Sequence, residues 1–180
     1  MIPNPNLLAT SEIWRESEAC SELWMLLRAV GDETPNVDRT RVRGLIAAST
    51  QLDPLEAIYR LRAELRRDPG GFRTLLRVLP LETTVPTKVE AMVEETRRLS
   101  AKIDEGESFR VTLEKRRTNL RSREVIDAVA QFIDREVDLE DYDWIVLVEI
   151  VGRMTGISVV PSDGVLNIQK ERAKLMAEGQ

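Results

Sequence analysis

The sequence predicts an α+β protein in which strands and helices alternate along two successive units. Apolar residues recur with the spacing of an amphipathic helix in several segments, and in others they alternate with polar residues as in a half-exposed strand. Prolines and glycines separate these segments and mark the turns. The chain has 180 residues, of which 42% are hydrophobic and 32% charged, so it can form one large or two small globular domains.

Three short strands are predicted in the first half of the chain, each from an apolar run. They lie at residues 7–9, 45–48 and 72–81. Pro80 has no N–H group to donate to a neighbouring strand, so it places the end of the third strand at a sheet edge or a bulge. The polar residues 32–41 predict a loop.

Two helices separate these strands. The first is predicted at residues 11–30, where leucines recur at the i, i+3 and i+4 spacing. The second begins at Asp53, a favourable N-cap that Pro54 follows at the first helical position, and it ends at residues 69–71. The resulting order of strands and helices is typical of a small α/β or α+β unit.

The second half begins at Pro86 with a third predicted helix. Thr87 and Glu90 have the spacing of a capping box, and apolar residues follow at helical positions. Residues 109–114 then alternate between apolar and polar, as in a strand with one exposed face. Ser122 is expected to cap a fourth helix.

Two further strands and a last helix are predicted toward the C-terminus. Residues 144–151 are nearly all apolar, which predicts a strand in the centre of a sheet. A turn at residues 152–156 leads to a final strand at 157–160, and residues 166–177 predict a short polar helix or a frayed tail.

The charge distribution reverses abruptly within the second half. The formal net charge of the chain is −5, yet residues 109–123 contain six cations and one anion, and residues 136–149 contain six acids and no base. The cations are concentrated where a strand is predicted to end and a helix to begin, and a helix N-terminus attracts phosphate. A nucleic-acid backbone would offset their mutual repulsion. A solvated surface loop that pairs with Glu124 and the acidic residues is the competing interpretation.

The residue content offers little for catalysis. The sequence contains no histidine and a single cysteine, which excludes imidazole-based catalysis and an internal disulfide. That cysteine, Cys20, lies between glutamates, and we expect it at the edge of the core rather than as a nucleophile. The acidic residues from Asp138 do not fit a calcium loop, because Tyr142 and Asp143 occupy positions that need an oxygen ligand and a glycine. We therefore predict no catalytic residue, no metal and no cofactor.

The sequence also predicts a cytoplasmic protein that does not associate with a membrane. The longest uninterrupted apolar run, residues 144–148, is far too short to cross a bilayer. No basic start followed by an apolar stretch marks a secretory signal, and a single cysteine fits a reducing compartment.

Motifs in the second half resemble the THUMP domain, an RNA-binding module of tRNA-modifying proteins. They are Phe-Arg-Val-Thr-Leu-Glu-Lys-Arg-Arg at 109–117, Leu-Arg-Ser-Arg-Glu-Val-Ile at 120–126, Val-Asp-Leu at 137–139 and the strand that ends at Gly152. Upstream motifs resemble the ferredoxin-like domain that precedes THUMP in such proteins. They are Asn-Leu-Leu-Ala-Thr at 6–10, Gly-Leu-Ile at 44–46, Asp-Pro-Leu-Glu-Ala at 53–57 and Arg-Val-Leu-Pro at 77–80.

The resemblance implies an N-terminal ferredoxin-like domain at residues 1–84, a THUMP domain at 85–165 and a C-terminal helix or tail at 166–180. Most members of the family carry a catalytic domain as well, and we expect none here because few residues follow the last predicted strand. The similarity is therefore greatest to stand-alone THUMP proteins. It implies a non-catalytic, tRNA-binding adaptor that assists a separate tRNA-modifying enzyme, with a cytidine acetyltransferase that forms N4-acetylcytidine as the candidate partner.

The RNA contacts implied by the resemblance are mainly basic residues around the junction between the fourth strand and its following helix. They are Lys115, Arg116, Arg117, Arg121, Ser122 and Arg123, with Arg153, Arg77 and Lys170 as weaker candidates. Ser122 has a second explanation as a helix N-cap. Phe109 is expected in the core, so these residues would contact phosphate and sugar rather than stack against bases.

A protein-interaction scaffold without direct RNA binding is the alternative function. The acidic residues 138–143 or the first helix would then dock a partner, with Trp14, Trp24 and Trp144 as anchors, although we expect each tryptophan in the core. An enzyme that uses paired carboxylates is a third hypothesis, but the sequence shows no such pair.

Overall fold

The computed structural model describes residues 2–180, which form two compact units. The first unit contains the chain up to Pro80 together with Gly164–Gln180, and the second is Leu81–Asp163. Up to residue 80 the elements are β1 (Leu7–Ser11), α1 (Glu16–Ala29), β2 (Asn36–Arg39), β3 (Leu45–Ser49), α2 (Pro54–Arg67) and β4 (Leu75–Pro80). Beyond it they are β5 (Thr83–Pro86), α3 (Val89–Leu99), β6 (Ser108–Arg116), α4 (Ser122–Gln131), β7 (Glu136–Val137), β8 (Trp144–Val151), β9 (Met154–Pro161), β10 (Leu166–Asn167) and α5 (Ile168–Glu178).

The first unit is an antiparallel sheet in the order β10-β4-β1-β3-β2. Its elements up to β4 follow the βαββαβ order of the ferredoxin-like fold. In the centre of the sheet, Ala9 of β1 lies opposite Ile46 of β3 and Val78 of β4. The helices bury leucines such as Leu27 and Leu61 in the core of this unit. The α+β class and the ferredoxin-like unit expected from the sequence are confirmed.

Helix α1 begins five residues later than predicted. Ser11 still belongs to β1, and Trp14 has a φ of +74°, a left-handed conformation that an α-helix does not contain. Helix α2 begins where the sequence predicts, because the Asp53 side chain accepts a hydrogen bond from the N–H of Glu56 at 3.1 Å and Pro54 follows it.

Four strands, β2, β5, β7 and β10, were not predicted because they are short edge strands of two to four residues without an apolar run. β2 lies within the predicted loop 32–41 and forms one edge of the first sheet. β5 forms an edge of the second sheet through its pairing with β9. Pro80 also differs from the prediction, because β4 is an inner strand. The proline is tolerated at the end of β4, where β10 pairs only with Arg77 and Val78.

The second unit contains a mixed sheet in the order β5-β9-β8-β6-β7, against which α3 and α4 pack. β6 runs parallel to its neighbours β7 and β8, whereas β9 is antiparallel to β8 and β5. The two-residue turn between β8 and β9 begins with Gly152 at a φ of +61°, a conformation that favours glycine. β8 is an inner strand, as predicted, and Val146, Val148 and Ile150 are fully buried.

Both helix caps predicted in the second unit are wrong. Helix α3 begins after Lys88, and the hydroxyl of Thr87 lies 3.0 Å from that of Thr155 instead of capping the helix. Helix α4 has Arg121 as its N-cap and Ser122 as its first residue, with no side-chain hydrogen bond at the cap. Ser122 therefore has no capping role in this structure.

The C-terminal segment forms a helix that packs with the first unit, and β5 pairs within the second. The unit bounds thus differ from the domain bounds of 84 and 165 that the sequence suggests. Helix α5 is capped by the Asn167 side chain and contacts α2, where Arg62 Nε lies 3.1 Å from Glu171 Oε1. Across residues 2–180, no helix has the length and hydropathy needed to span a membrane.

The tryptophans are less buried than predicted. Trp14 is 77% exposed and Trp24 is 43% exposed, so the expectation that they lie in the core is wrong. Trp144 is half-buried against the core of the second unit, and its Nε1 donates a hydrogen bond to Glu107 at 2.7 Å.

Candidate nucleic-acid interface

The carboxyl ends of three strands meet at one edge of the second sheet. β5, β6 and β8 run in the same direction, because β6 is parallel to β8 and both β5 and β8 are antiparallel to β9. Their last residues are neighbours: Met154 of β9 lies opposite both Pro86 and Val151, and Val151 lies opposite Arg116. Helices α3 and α4 begin directly beyond this edge. In open α/β sheets, this is the side on which ligands bind.

Basic side chains are concentrated at this edge, which we term the basic edge. It consists of Lys88, Lys115, Arg117, Arg121, Arg123 and Arg153, all of which are exposed. Two acidic residues, Glu90 and Glu124, lie in the first turns of α3 and α4, and Asp127 follows on the next turn of α4. The basic edge therefore retains an excess of positive charge in a chain whose net charge is −5.

The end of β6 is connected to the adjacent loop and turn by backbone contacts. The Lys115 ammonium donates to the carbonyl of Leu120 at 2.9 Å, across the loop that leads into α4. The N–H of Gly152 donates to the carbonyl of Arg116, also at 2.9 Å. Arg117 follows with a φ of +56°, which turns the chain away from the strand. These contacts fix the loop that presents the basic residues.

Arg116 is held in an ion pair with a buried carboxylate. Its Nη1 lies 2.8 Å from Oε2 of Glu149, with 18% of the arginine side chain and 2% of the glutamate side chain exposed. A cation held by a buried carboxylate is not available to bind phosphate without breaking that pair. The predicted RNA contact Arg116 is thus bound to Glu149 within the protein.

The N-terminus of α4 presents three of the predicted residues to solvent. Arg121, Ser122 and Arg123 are all exposed. Arg123 is 93% exposed and lies 3.6 Å from Asp127 on the next turn, which is the geometry of a weak surface pair. Arg121 makes no ion pair with any carboxylate of residues 2–180. The free N–H groups of the first helical turn add a partial positive charge at the same place.

Arg153 is joined to this edge by the hairpin between β8 and β9. Its carbonyl accepts a hydrogen bond from the N–H of Thr87 at 2.9 Å, which connects the hairpin turn to the start of α3. The same contact brings Lys88 to the basic edge. Lys88 could not be predicted from the sequence, because it is far from residues 109–123 in the chain and only the pairing of β5 with β9 brings it to this edge.

Arg77 and Lys170 belong to the first unit and not to the basic edge. Arg77 is half-buried on β4, opposite Asn167 of β10. Lys170 is exposed in the first turn of α5, where its N–H donates to the Asn167 side chain at 3.1 Å. The two residues are thus close to one another through Asn167.

The acidic segment 136–143 lies at the opposite end of β6 from the basic edge. β7 pairs with Ser108 and Phe109 at the start of β6, and Asp143 Oδ2 accepts a hydrogen bond from the N–H of Ser108 at 2.8 Å. β6 has nine residues, so its two ends are roughly 26 Å apart at about 3.3 Å per residue. The acidic segment 136–143 is therefore too distant to pair with the residues of the basic edge, whereas Glu149, further along the chain, pairs with Arg116.

Metal-binding clusters are absent from the part of the chain that the structure describes. In residues 2–180 no three histidine, cysteine, aspartate or glutamate side chains are grouped so that they could hold a metal ion. Phe109 is fully buried, so the basic edge has no stacking aromatic from β6. Its chemistry is that of arginine, lysine and backbone N–H groups, which suits phosphate contacts.

Comparison with known proteins identifies the second unit. Residues 86–160 match the family model of the THUMP domain, whereas the curated proteins give no match. Among solved structures, PH1313 from Pyrococcus horikoshii Ot3 superimposes with a TM-score of 0.65 at 20% identity, over 88% of this chain and 55% of its own. TrmN from Thermus thermophilus gives a TM-score of 0.55 at 20% identity, over 85% of this chain and 44% of its own.

A third similar structure is a 4-thiouridine synthetase in complex with RNA and bound ATP. Its TM-score is 0.51 at 15% identity, over 87% of this chain and 42% of its own. At such identities the likeness shows a shared fold, and this chain spans about half of the length of these structures. The shared fold, the match over residues 86–160 and the observed mixed sheet agree. The chain therefore contains a THUMP domain at residues 86–160, in a unit that accompanies a ferredoxin-like one.

Proposed function

We propose that this protein binds tRNA through the basic edge of its THUMP domain and takes part in tRNA modification. The observation that carries the proposal is the concentration of exposed cations at the carboxyl edge of the THUMP sheet. Arg121 and Arg153 are central, because neither has a carboxylate partner within residues 2–180. Exposed cations that repel one another are stabilised by a polyanion, and an RNA backbone supplies regularly spaced phosphates.

The arrangement favours recognition of folded RNA by its backbone. Arginine and lysine contact the phosphate and sugar of any sequence, and the basic edge has no aromatic side chain from β6 on which bases could stack. Double-stranded RNA is recognised mainly by shape and by such backbone contacts. A structure with a similar fold is a 4-thiouridine synthetase crystallised with RNA, which supports a role on an RNA that is modified.

We further propose that the protein is a non-catalytic adaptor for a separate tRNA-modifying enzyme, with a cytidine acetyltransferase as the candidate. The sequence has no histidine, and Cys20 is the only thiol. Incubation of the purified protein with tRNA and with methyl, acetyl and sulfur donors, followed by nucleoside mass spectrometry, tests this part. A modified nucleoside formed by the protein alone would show that it is an enzyme. An increase in the acetyltransferase reaction only when the protein is added would support the adaptor role.

Titration of labelled tRNA in a gel-shift assay tests RNA binding at the basic edge. Arg121→Ala should weaken binding roughly tenfold, because a hydrogen bond to a charged group contributes about 1.5 kcal/mol. Arg97→Ala is the matched control, since Arg97 is also exposed on a helix of this unit but lies in the last turn of α3. Equal affinities of wild type, Arg121→Ala and Arg153→Ala would reject the basic edge as the RNA site.

A protein-interaction scaffold is the second candidate function, because apolar side chains are exposed next to the acidic segment. Phe132, Val137 and Leu139 are 51%, 49% and 63% exposed. Asp134, Glu136 and Glu140 lie beside them in the chain. Such a surface would suit a partner with apolar and basic residues. A pull-down with and without ribonuclease separates the two functions, because a direct protein contact survives digestion of RNA and one bridged by RNA does not.

A further inference from the structure

The first unit contains a cleft outside the THUMP domain. The cleft has a volume of about 470 Å³. One side is formed by residues 38–43, in β2 and the turn that leads to β3, and the other by Trp14, just before α1, and Glu16, the first residue of α1. Its volume falls within the range of roughly 300–1,000 Å³ that is usual for sites that bind one small molecule or one group of a larger ligand.

Trp14 occupies this cleft in a conformation that neither burial nor backbone preference explains. Its side chain is 77% exposed, although a tryptophan ring normally contributes to stability by being buried. Its φ of +74° is a left-handed conformation that is rare for a bulky residue. Unfavourable backbone conformations of this kind are found mainly where they position a functional group.

Hydrogen bonds to Gly44 hold the segment around Trp14 in place. The carboxylate of Glu16 accepts a hydrogen bond from the N–H of Gly44 at 2.8 Å, and the N–H of Ser11 donates to the Gly44 carbonyl at 2.9 Å. A side chain at position 44 would meet the Ser11 carbonyl at 3.0 Å, and the φ of Gly44 is +71°. Glycine at this position therefore permits the close approach that brings Trp14 to the hairpin.

Arg43 stacks on the indole ring of Trp14. The guanidinium carbon lies 4.7 Å from the ring centroid, which is within the range of a cation–π contact. Most of the ring nevertheless remains exposed. An aromatic ring with an arginine on it and a large accessible area can stack against a nucleobase.

The charges of the cleft suit a phosphate. Arg39, Arg41 and Arg43 are all exposed on the hairpin. The two carboxylates of the cleft already accept backbone hydrogen bonds, Glu16 from Gly44 at 2.8 Å and Asp38 from the N–H of Arg39 at 2.7 Å. Three cations and two such carboxylates leave the cleft positive, whereas the chain as a whole is negative.

We propose that this cleft binds an unpaired RNA nucleotide, with its base stacked on Trp14 and its phosphate held by Arg39 and Arg43. The proposal rests on the proposed function in that it takes RNA as the ligand of the protein. It adds a site for single-stranded RNA in the ferredoxin-like unit. Proteins bind single-stranded RNA by combining aromatic rings, on which bases stack, with cations that hold the phosphates. The basic edge has the cations but no such ring.

Fluorescence anisotropy with two labelled RNAs tests the proposal on the full chain. One probe is a single-stranded ten-nucleotide RNA that cannot pair with itself, and the other is a blunt-ended RNA hairpin. Trp14→Ala should weaken binding of the single strand by roughly 5- to 150-fold, the range observed for loss of one stacked base. Trp14→Phe should restore most of the affinity, because it keeps an aromatic ring. Binding of the hairpin should change little.

Trp24→Ala is the matched control, because Trp24 is also exposed and also carries an arginine, Arg28, at 5.2 Å from its ring. It should leave single-strand binding unchanged. Trp14→Gly is a second variant whose backbone tolerates the positive φ, so its loss of binding cannot be attributed to misfolding. The melting temperature of each variant confirms that the chain is folded.

The outcomes distinguish this site from the basic edge. Loss of single-strand binding in Trp14→Ala and Trp14→Gly, with hairpin binding retained, would support the proposal. Single-strand binding that is unchanged by both variants would overturn it and leave the exposed tryptophan to a protein partner. If the wild type binds neither of these RNAs nor tRNA, the proposed function is overturned as well. If tRNA binding depends on Arg121 but not on Trp14, only the proposal for the cleft is overturned.

Discussion

Arg116 and Glu149 form a largely buried ion pair between the parallel strands β6 and β8. Nη1 of the arginine lies 2.8 Å from Oε2 of the glutamate, and only 2% of the glutamate side chain is exposed. Glu149 is the single acidic residue within the apolar strand β8. Arg116 therefore compensates the charge of Glu149, whose burial in the core of the THUMP domain would otherwise be unfavourable.

Replacement of Arg116 by methionine should destabilise the protein through this pair. An unpaired buried carboxylate costs about 3–5 kcal/mol, so urea denaturation of Arg116→Met should show a loss of that size. The double variant Arg116→Met with Glu149→Leu should recover most of it, because no buried charge remains. A loss below about 1 kcal/mol together with strong loss of tRNA affinity would instead identify Arg116 as a phosphate ligand.

The order of elements was largely predictable from the sequence, because local patterns determine it. Apolar periodicity located α2 and β8, and the cap at Asp53 is confirmed by its hydrogen bond to Glu56. The start of α1 was not predictable, because a positive φ at Trp14 arises from tertiary contacts. β2, β5, β7 and β10 were not predictable because edge strands need not carry an apolar run.

The candidate site was predictable only in part, because some of its residues are close in sequence and others are brought together only by the fold. The cluster of cations between β6 and α4 is local in sequence and was found from charge alone. The ion pair of Arg116 with Glu149 joins residues on two strands, and Lys88 reaches the basic edge through the pairing of β5 with β9. A single sequence does not specify such pairings.

The hydrogen bond of Glu16 makes the stability of the first unit depend on pH. The N–H of Gly44 lowers the pKa of this carboxyl below its ordinary value of 4.5. A lowered pKa means that the ionised form stabilises the fold above the unfolded-state pKa, and that this stabilisation is lost as the pH falls through the folded-state pKa. Thermal unfolding should therefore show a lower melting temperature for Glu16→Gln at pH 7 and convergence with wild type in acid.

The exposed glutamate Glu90 provides the control for that experiment, since it lies in the second unit. Glu90→Gln should leave the melting temperature of the first unit unchanged. If the difference in melting temperature between wild type and Glu16→Gln stays the same in acid, the charge of the Glu16 carboxylate does not stabilise the fold through Gly44.

Cys20 should react slowly with thiol reagents in the folded protein. Burial raises the pKa of its thiol above the ordinary value of 9.0, and the charge of Asp38 raises it further. The thiolate fraction at neutral pH is therefore smaller than in an unfolded chain. The rate of reaction with Ellman's reagent should increase when the protein is unfolded in urea, and a faster reaction in the folded state would indicate an activated thiol.

The salt dependence of tRNA affinity measures the central claim most directly. If the basic edge neutralises about five phosphates, a plot of log K against log salt concentration should have a slope of roughly −4. Arg121→Ala and Arg153→Ala should each make that slope less steep by about one, while Arg97→Ala leaves it unchanged. A slope near zero for the wild type, or slopes in the two edge variants equal to that of the wild type, would contradict RNA binding at the basic edge.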